Sequence, residues 1–321
     1  MKKVDVVTFG ETMVLFQSNQ KVPLEYVHQF DKLIGGAESN VSIGLQRLGH
    51  SVGWFSKLGN DPFGRFILQF VRGEGVDTSA CLFTDDASTG IFFKEKRSFD
   101  NTNVYYYRKN SAASLLKPSD LNEEYIANAK VLHLTGITPA LSESCSETVF
   151  KAIEIAKRND VLIVFDPNLR LKLWEEHQAR SVFNQLAEKA DVILPGLDEG
   201  EFMTGETTPE AIATTLIGNA KKTVIIKLGS KGSYYQTMDG DGYVPGFQVD
   251  NVVDPVGAGD GFAAGIISGI LENEPLRKIV RRANAIGAMV VGVDGDVEGL
   301  PRQEEIEQFM NRDHGHRDVN R

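Results

Sequence analysis

The sharpest chemistry in the chain lies in Val253-Asp254-Pro255-Val256-Gly257-Ala258-Gly259-Asp260-Gly261-Phe262. A β-branched run ends, a glycine-rich turn follows, and apolar residues open what reads as a helix. Helix N-termini present unpaired N–H groups and the positive end of the dipole, so such a turn can hold a phosphate. Gly257 and Gly259 let the backbone approach an anion closely. Asp260 is the odd member, because a carboxylate repels phosphate unless it is put to use. One use is to take the proton of an attacking hydroxyl, worth ~10²–10⁴ in rate. The alternative is an acid that only stabilises its own helix.

Two nucleotide motifs are excluded. Gly257-Ala258-Gly259 supplies G-x-G, but the third glycine position is Phe262, and a dinucleotide finger belongs after the first strand of its unit. Gly10-Glu11-Thr12, after the first strand, has no second glycine nearby, and no G-x-x-x-x-G-K-[ST] occurs. Two arginines stand where a ligand could meet them. Arg108 ends Tyr105-Tyr106-Tyr107-Arg108, and Arg170 ends Asp166-Pro167-Asn168-Leu169-Arg170. Arginine suits bidentate carboxylate or phosphate binding. The pair reads as walls for an anionic sugar, as one arginine each for sugar and nucleotide, or as plain surface charge.

The elements that must carry these residues alternate. Val4–Phe9, Val52–Leu58, Val131–Leu134, Val161–Phe165, Val192–Leu194 and Thr223–Lys227 read as strands. Their apolar runs lack period-2 alternation, which suits a parallel sheet covered on both faces. Helices are expected over Glu38–Leu48, Pro62–Val71, Phe262–Leu271 and Leu276–Val291. Another should run through Lys157, opened by a capping box of Ser144 and Glu147. Tyr243–Val253 reads as antiparallel strand and loop. Thr12–Leu33 and Thr89–Arg108 break the alternation and read as extra β segments.

The chain has 321 residues, 41% hydrophobic and 24% charged, with a net charge of −10. That is globular composition, enough for two domains or one large α/β domain. The acidic balance argues against nucleic-acid binding. Two distant cysteines, Cys81 and Cys145, form neither a disulfide framework nor a zinc cluster and fit a reducing cytosol. No run is long enough to span a membrane, and the first strand does not read as a signal peptide, so a cytoplasmic protein is expected.

Asp254-Pro-Val-Gly-Ala-Gly-Asp260 resembles the C-terminal signature of the ribokinase (PfkB) family of carbohydrate kinases. Gly35-Gly36-Ala37-Glu38-Ser39-Asn40-Val41-Ser42, then Gly49 and Gly59, resembles the family's first signature. The likeness runs from Val4 to about Met310. It implies a three-layer α/β/α fold with a mostly parallel sheet and a small β lid. The core would be 1–11, 34–88 and 109–312, the lid 12–33 and 89–108, and 313–321 a disordered tail.

By position, the resemblance makes Asp260 the catalytic base and Gly257, Ala258 and Gly259 the anion hole. It puts Gly35, Gly36 and Asn40 on the substrate, although the glycine pair read alone is a turn before a helix. Lys227, Gly229, Ser230 and Gly232 match the nucleotide loop, and Asn284 the helix lining the adenine pocket. The cofactors implied are ATP and Mg²⁺, with a monovalent cation as a further candidate. The family's Asn-x-x-Glu near the metal is Gly196-Leu197-Asp198-Glu199 here, so Glu199 alone is left to act, through water.

Tyr-Tyr-Arg followed by Ser111-Ala-Ala-Ser114, with Asp166-Pro-Asn-Leu-Arg-Leu-Lys-Leu-Trp174, is most similar to the 2-keto-3-deoxygluconate kinases. There, residues matching Tyr106, Arg108 and Arg170 bind the sugar acid. Phe92 stands where some members have Tyr. Fructokinases share Asp-Pro-Asn-x-Arg, so other sugars stay open, as does a non-catalytic nucleotide or sugar sensor. The aromatic lid also points to a homodimer through lid edges.

Overall fold

The computed structural model describes residues 3–98 and 101–312, so the tail expected from 313 lies outside the described residues. The chain opens on β1 (Val6–Phe9), makes β2 (Met13–Gln17) and β3 (Asp31–Gly35), and enters α1 (Ala37–Arg47). Next come β4 (Val52–Phe55), β5 (Lys57–Gly59), α2 (Pro62–Gly73) and β6 (Leu82–Thr84). The pair β7 (Ile91–Ser98) and β8 (Asn101–Tyr107) leads to α3 (Glu123–Ala127). Alternation then resumes with β9 (Val131–Thr135), α4 (Glu143–Arg158), β10 (Leu162–Asp166), α5 (Glu176–Lys189) and β11 (Val192–Ile193). After α6 (Leu197–Thr204) and α7 (Pro209–Ile217) come β12 (Thr223–Lys227), β13 (Ser233–Thr237) and β14 (Gly240–Val244). Three helices finish the described chain: α8 (Ala258–Leu271), α9 (Leu276–Val290) and α10 (Gln303–Arg312).

The main sheet runs β14-β13-β12-β11-β10-β9-β1-β4. From β12 to β4 it is parallel, and β13 and β14 add an antiparallel edge. The unbroken apolar runs have a simple cause. Leu132, Ile163, Ile193 and Val224 point to one face, against Val149 and Ile153 of α4 and Phe183 of α5. Their neighbours Val131, Val164, Val192 and Ile225 point to the other, against Val41 of α1 and Phe262 and Ile266 of α8. Both faces are helix-covered, so both strand phases must be apolar.

A second sheet, β3-β2-β7-β8, forms the lid from two separate excursions of the chain. β2 pairs antiparallel with β3 and parallel with β7. Val14 and Ile34 face a cluster with Ile67 of α2, while Met13, Leu15 and Phe92 form their own cluster on the opposite face. The aromatic sheet thus finds much of its cover within one chain, and the exposed aromatics are Tyr105, Tyr106 and Tyr107 on its edge strand β8.

Two local expectations fail. Val52–Leu58 is not one strand: the chain leaves the main sheet after Phe55, and β5 pairs with β6, a partner its own pattern cannot announce. The cap of α4 is Ser142, which accepts the Cys145 N–H at 3.1 Å, while the Ser144 hydroxyl donates to the Leu116 carbonyl. Among the described residues no helix is long and apolar enough to cross a membrane.

Candidate active site

The carboxyl ends of β1, β9, β10 and β12 open toward one edge of the sheet. The strand order reverses about β1, whose neighbours are β4 and β9, and ligands of open α/β sheets sit at such switch points. Two cavities lie there. One, of about 300 Å³, is lined by Gly35, Gly36, Asn40, Phe92, Tyr106, Arg108, Arg170, Gly257 and Asp260. The other, of about 630 Å³, is lined by Lys227, Gly229, Ser230, Gly232, Ala258 and Asn284, with Phe247, Gly287 and Ala288. Every residue assigned to substrate falls in the first, and every residue assigned to nucleotide in the second. Gly259 and Lys227 line both.

α8 begins between them. Its N-cap is Gly257, in the left-handed region at φ +81, and no side chain caps the helix. No side chain takes its first N–H groups, and that of Ala258 makes a long 3.5 Å bond to the Pro255 carbonyl, so the turn stays open to a ligand. A Cβ at Gly257 would meet the Asp296 carbonyl at 2.5 Å, so that glycine is required by the protein itself. Gly259 differs: a Cβ there would find nothing nearer than Lys227 Nζ at 3.8 Å. Packing does not demand that glycine, and the room it leaves faces both cavities.

Asp260, in the first turn of α8, is 8% exposed. Asn40 Nδ2 donates to its Oδ2 at 2.8 Å, and Asn168 Nδ2 reaches its Oδ1 at 3.3 Å. Burial pushes its pKa up to about 7, helped by the Asp166 and Asp296 carboxylates and opposed by the Asn40 bond and Arg170. Such a group can exchange a proton near neutrality. Asn168 holds a left-handed backbone at φ +46, a region asparagine tolerates better than most side chains.

Lys227 ends β12 and its Nζ donates to both oxygens of Asp166, at the end of β10, at 2.8 and 3.1 Å. Burial would lower its pKa, but the carboxylates of Asp166, Glu199 and Asp260 outweigh that and keep it charged. Arg108 is bound more tightly than the sequence suggested. Its Nε and Nη2 meet Glu11 Oε2 at 2.6 and 2.5 Å, and Ser111 donates to the other oxygen of Glu11. Arg170 is exposed at the rim, with Nη1 on the Leu169 carbonyl at 3.1 Å. The ring of Phe92 stacks on Tyr106 at 5.5 Å, and the Arg108 guanidinium lies 5.8 Å from the Tyr106 ring.

Other placements refine the expectations. A Cβ at Gly35 would strike the Asp296 carboxylate and the Phe92 ring, and one at Gly36 the Glu11 carbonyl. The glycine pair is therefore needed for the lid to pack on the core, whatever ligand lies beside it. Asn284 spends its amide on the wall: Oδ1 accepts from Ser233 at 2.7 Å and Nδ2 donates to the Val244 and Pro245 carbonyls. Glu199 lines neither cavity; its oxygens accept the N–H of Gly196 and of Leu169 at 2.7 and 2.8 Å. Among the described residues no three His, Cys, Asp or Glu gather as a metal cage. Sequence reasoning passed over Glu11, Lys94, Asp296 and the amide of Asn168. Glu11 and Asn168 each follow a strand's carboxyl end, which was their available signal.

Ligands in the two cavities would meet at Gly259, as the two substrates of a group-transfer enzyme must, and an open helix N-terminus there selects an anionic group. That defines a small-molecule phosphotransferase. The chain belongs to the pfkB family of carbohydrate kinases, whose pattern matches residues 3–303. It is 46% identical to the 2-dehydro-3-deoxygluconokinase of Bacillus subtilis (strain 168), over 96% of each chain. The crystal structure of a PfkB protein from Polaromonas sp. JS666 is 42% identical, with a TM-score of 0.86 over 95% of this chain and 99% of its own. A structure from E. coli assigned as Ribokinase II, in complex with ATP and Mg²⁺, is 27% identical with a TM-score of 0.90, over 96% and 99%.

Proposed function

We propose that this chain phosphorylates the terminal hydroxyl of 2-keto-3-deoxygluconate with ATP, giving the 6-phosphate. The observation that carries the reading is the meeting of both cavities at Gly259, with Asp260 on the smaller side. The sugar hydroxyl attacks the γ-phosphorus, its proton passes to the Asp260 carboxylate, and the bond to the β–γ bridging oxygen breaks to release ADP. The N–H groups of Gly257, Ala258 and Gly259 would hold the charge on the transferring phosphoryl, and Lys227 would join them from the nucleotide side. Arg170 and the free edge of Arg108 would take the sugar carboxylate, against Tyr106 and Phe92. The relative from Bacillus subtilis supports the acid over a neutral sugar.

Mg²⁺ would arrive on the triphosphate, where it neutralises phosphate charge. Glu199, with both oxygens already on backbone N–H groups, would face it only through water. A monovalent cation has less claim, since Asp254 and Asp296, which flank the turn, already hold the Lys94 ammonium. The free Cys81 and Cys145 suit the cytoplasm. The exposed Tyr105–Tyr107 edge would pair lids in a homodimer, and a monomeric mass by light scattering at micromolar concentration refutes that.

An ADP-release assay with Mg²⁺–ATP over a panel of sugars and sugar acids tests the whole. The highest kcat/KM is expected on 2-keto-3-deoxygluconate. Preference for fructose or ribose overturns the acceptor, and tight ATP binding without ADP release on any sugar overturns catalysis in favour of a sensor.

A further inference from the structure

Lys94 sits on the lid strand β7, opposite Gln17 of β2 and Val104 of β8, and its side chain is 1% exposed. Its Nζ donates to Asp254 Oδ2 at 2.5 Å and lies 3.6 Å from Asp296 Oδ1. An ammonium buried this deeply persists only when paired. Burial would lower its pKa, and the Asp296 and Asp254 carboxylates more than reverse that.

Both partners reach the turn before α8. Asp254 opens it, and its other oxygen accepts the Val256 N–H at 3.1 Å. Asp296 backs it: its carbonyl lies 2.5 Å from where a Gly257 Cβ would be, and its Oδ2 equally close to a Cβ at Gly35. One lid ammonium thus joins the lid, the front of the turn and the segment behind it. Without that charge, Asp254 and Asp296 would repel each other beside the place an anion must occupy.

We propose that Lys94 is a positioning residue for phosphoryl transfer, holding Asp254 and Asp296 from the lid and so setting the Gly257–Gly259 N–H groups. The inference rests on reading that turn as the anion hole. Its effect falls on kcat, because a misplaced anion hole loses interactions made to the transition state while sugar and nucleotide still bind.

The test is Lys94→Met, Asp254→Asn and their double variant, assayed with Mg²⁺–ATP on whichever acceptor the wild type turns over best. An error about the acceptor then appears in the wild type alone. Lys94→Met is expected to lower kcat at least ~30-fold, with both KM values within about threefold. The double variant should lose no more than its worse single parent. A kcat within about threefold of wild type, a raised sugar KM with kcat kept, or losses that multiply in the double variant overturns the proposal. Thermal melts monitor folding. Should Lys94→Met not fold, Lys94→Arg keeps the cation and is expected to hold kcat within about tenfold; a folded Arg variant that loses ~30-fold or more overturns the proposal equally.

Discussion

Asn40 and Asp260 stand 220 residues apart in the chain, and the amide of one donates to the carboxylate of the other at 2.8 Å. The bond joins the two signature segments, since Asn40 belongs to the first helix and Asp260 to α8. It favours the charged carboxylate, while burial favours the neutral one.

Replacing the carboxylate tests its use directly. Asp260→Asn is expected to lower kcat ~10²–10⁴-fold while ATP and sugar still bind, as read by calorimetry. Near-normal turnover in that variant rules the base out. The same variant should melt at a higher temperature at pH 8, because an ionised carboxylate no longer has to be buried.

The pH dependence follows from the same group. With its pKa raised to about 7, Asp260 is protonated at pH 6 and charged at pH 8, so kcat/KM should rise through about pH 7. Stability runs the other way: a raised acid pKa stabilises the fold below the unfolded value, and that contribution is lost as pH rises toward 7. Asn40→Ala removes a bond to the charged form and should move the acid limb up by roughly one unit. A limb unmoved by Asn40→Ala assigns it to another group.

The two glycines of the turn should fail differently. Gly257→Ala places a side chain in the left-handed region and against the Asp296 carbonyl, so melting temperature and kcat should both fall. Gly259→Ala meets no close protein atom and should melt like wild type while kcat falls. Full activity in a folded Gly259→Ala would show that no ligand uses the space.

Acceptor charge is read from the arginines. Arg108→Ala should raise KM for a sugar acid about tenfold or more and for fructose much less, the scale of a lost charge-assisted bond. Arg170→Ala should do the same, while Glu11→Gln, which removes the negative charge facing Arg108, should lower the acid's KM. Equal effects on both acceptors remove the carboxylate role.

The core was legible because its strands are covered on both faces and so are written in unbroken apolar runs, as Val161–Phe165 shows. The turn at 257–260 was legible because Gly257 and Gly259 interrupt the sequence between a β-branched run and an apolar helix. Partnerships were not. Nothing around Arg108 announces that Glu11 neutralises it, and nothing around Lys94 announces Asp254, 160 residues away. β5 was misread for the same reason, its partner being β6. The Gly35-Gly36 pair lines the smaller cavity, but nothing in the sequence announces that the protein's own Asp296, Phe92 and Glu11 also press against it.

The lid's parallel pairing of β2 with β7 has a consequence for how the molecule comes together. β2 and β7 flank α1, β4 and α2, so their ladder closes only over a long intervening stretch. Closing a ladder over that distance carries a larger entropic cost than closing the shorter β1–β4 crossover, so the lid is expected to form after it. A fragment ending after α2 would carry β2 with one edge bare, open to strands of other molecules. The lid is then a clasp across two parts of the chain, and neither excursion can be cut away without unfastening the other.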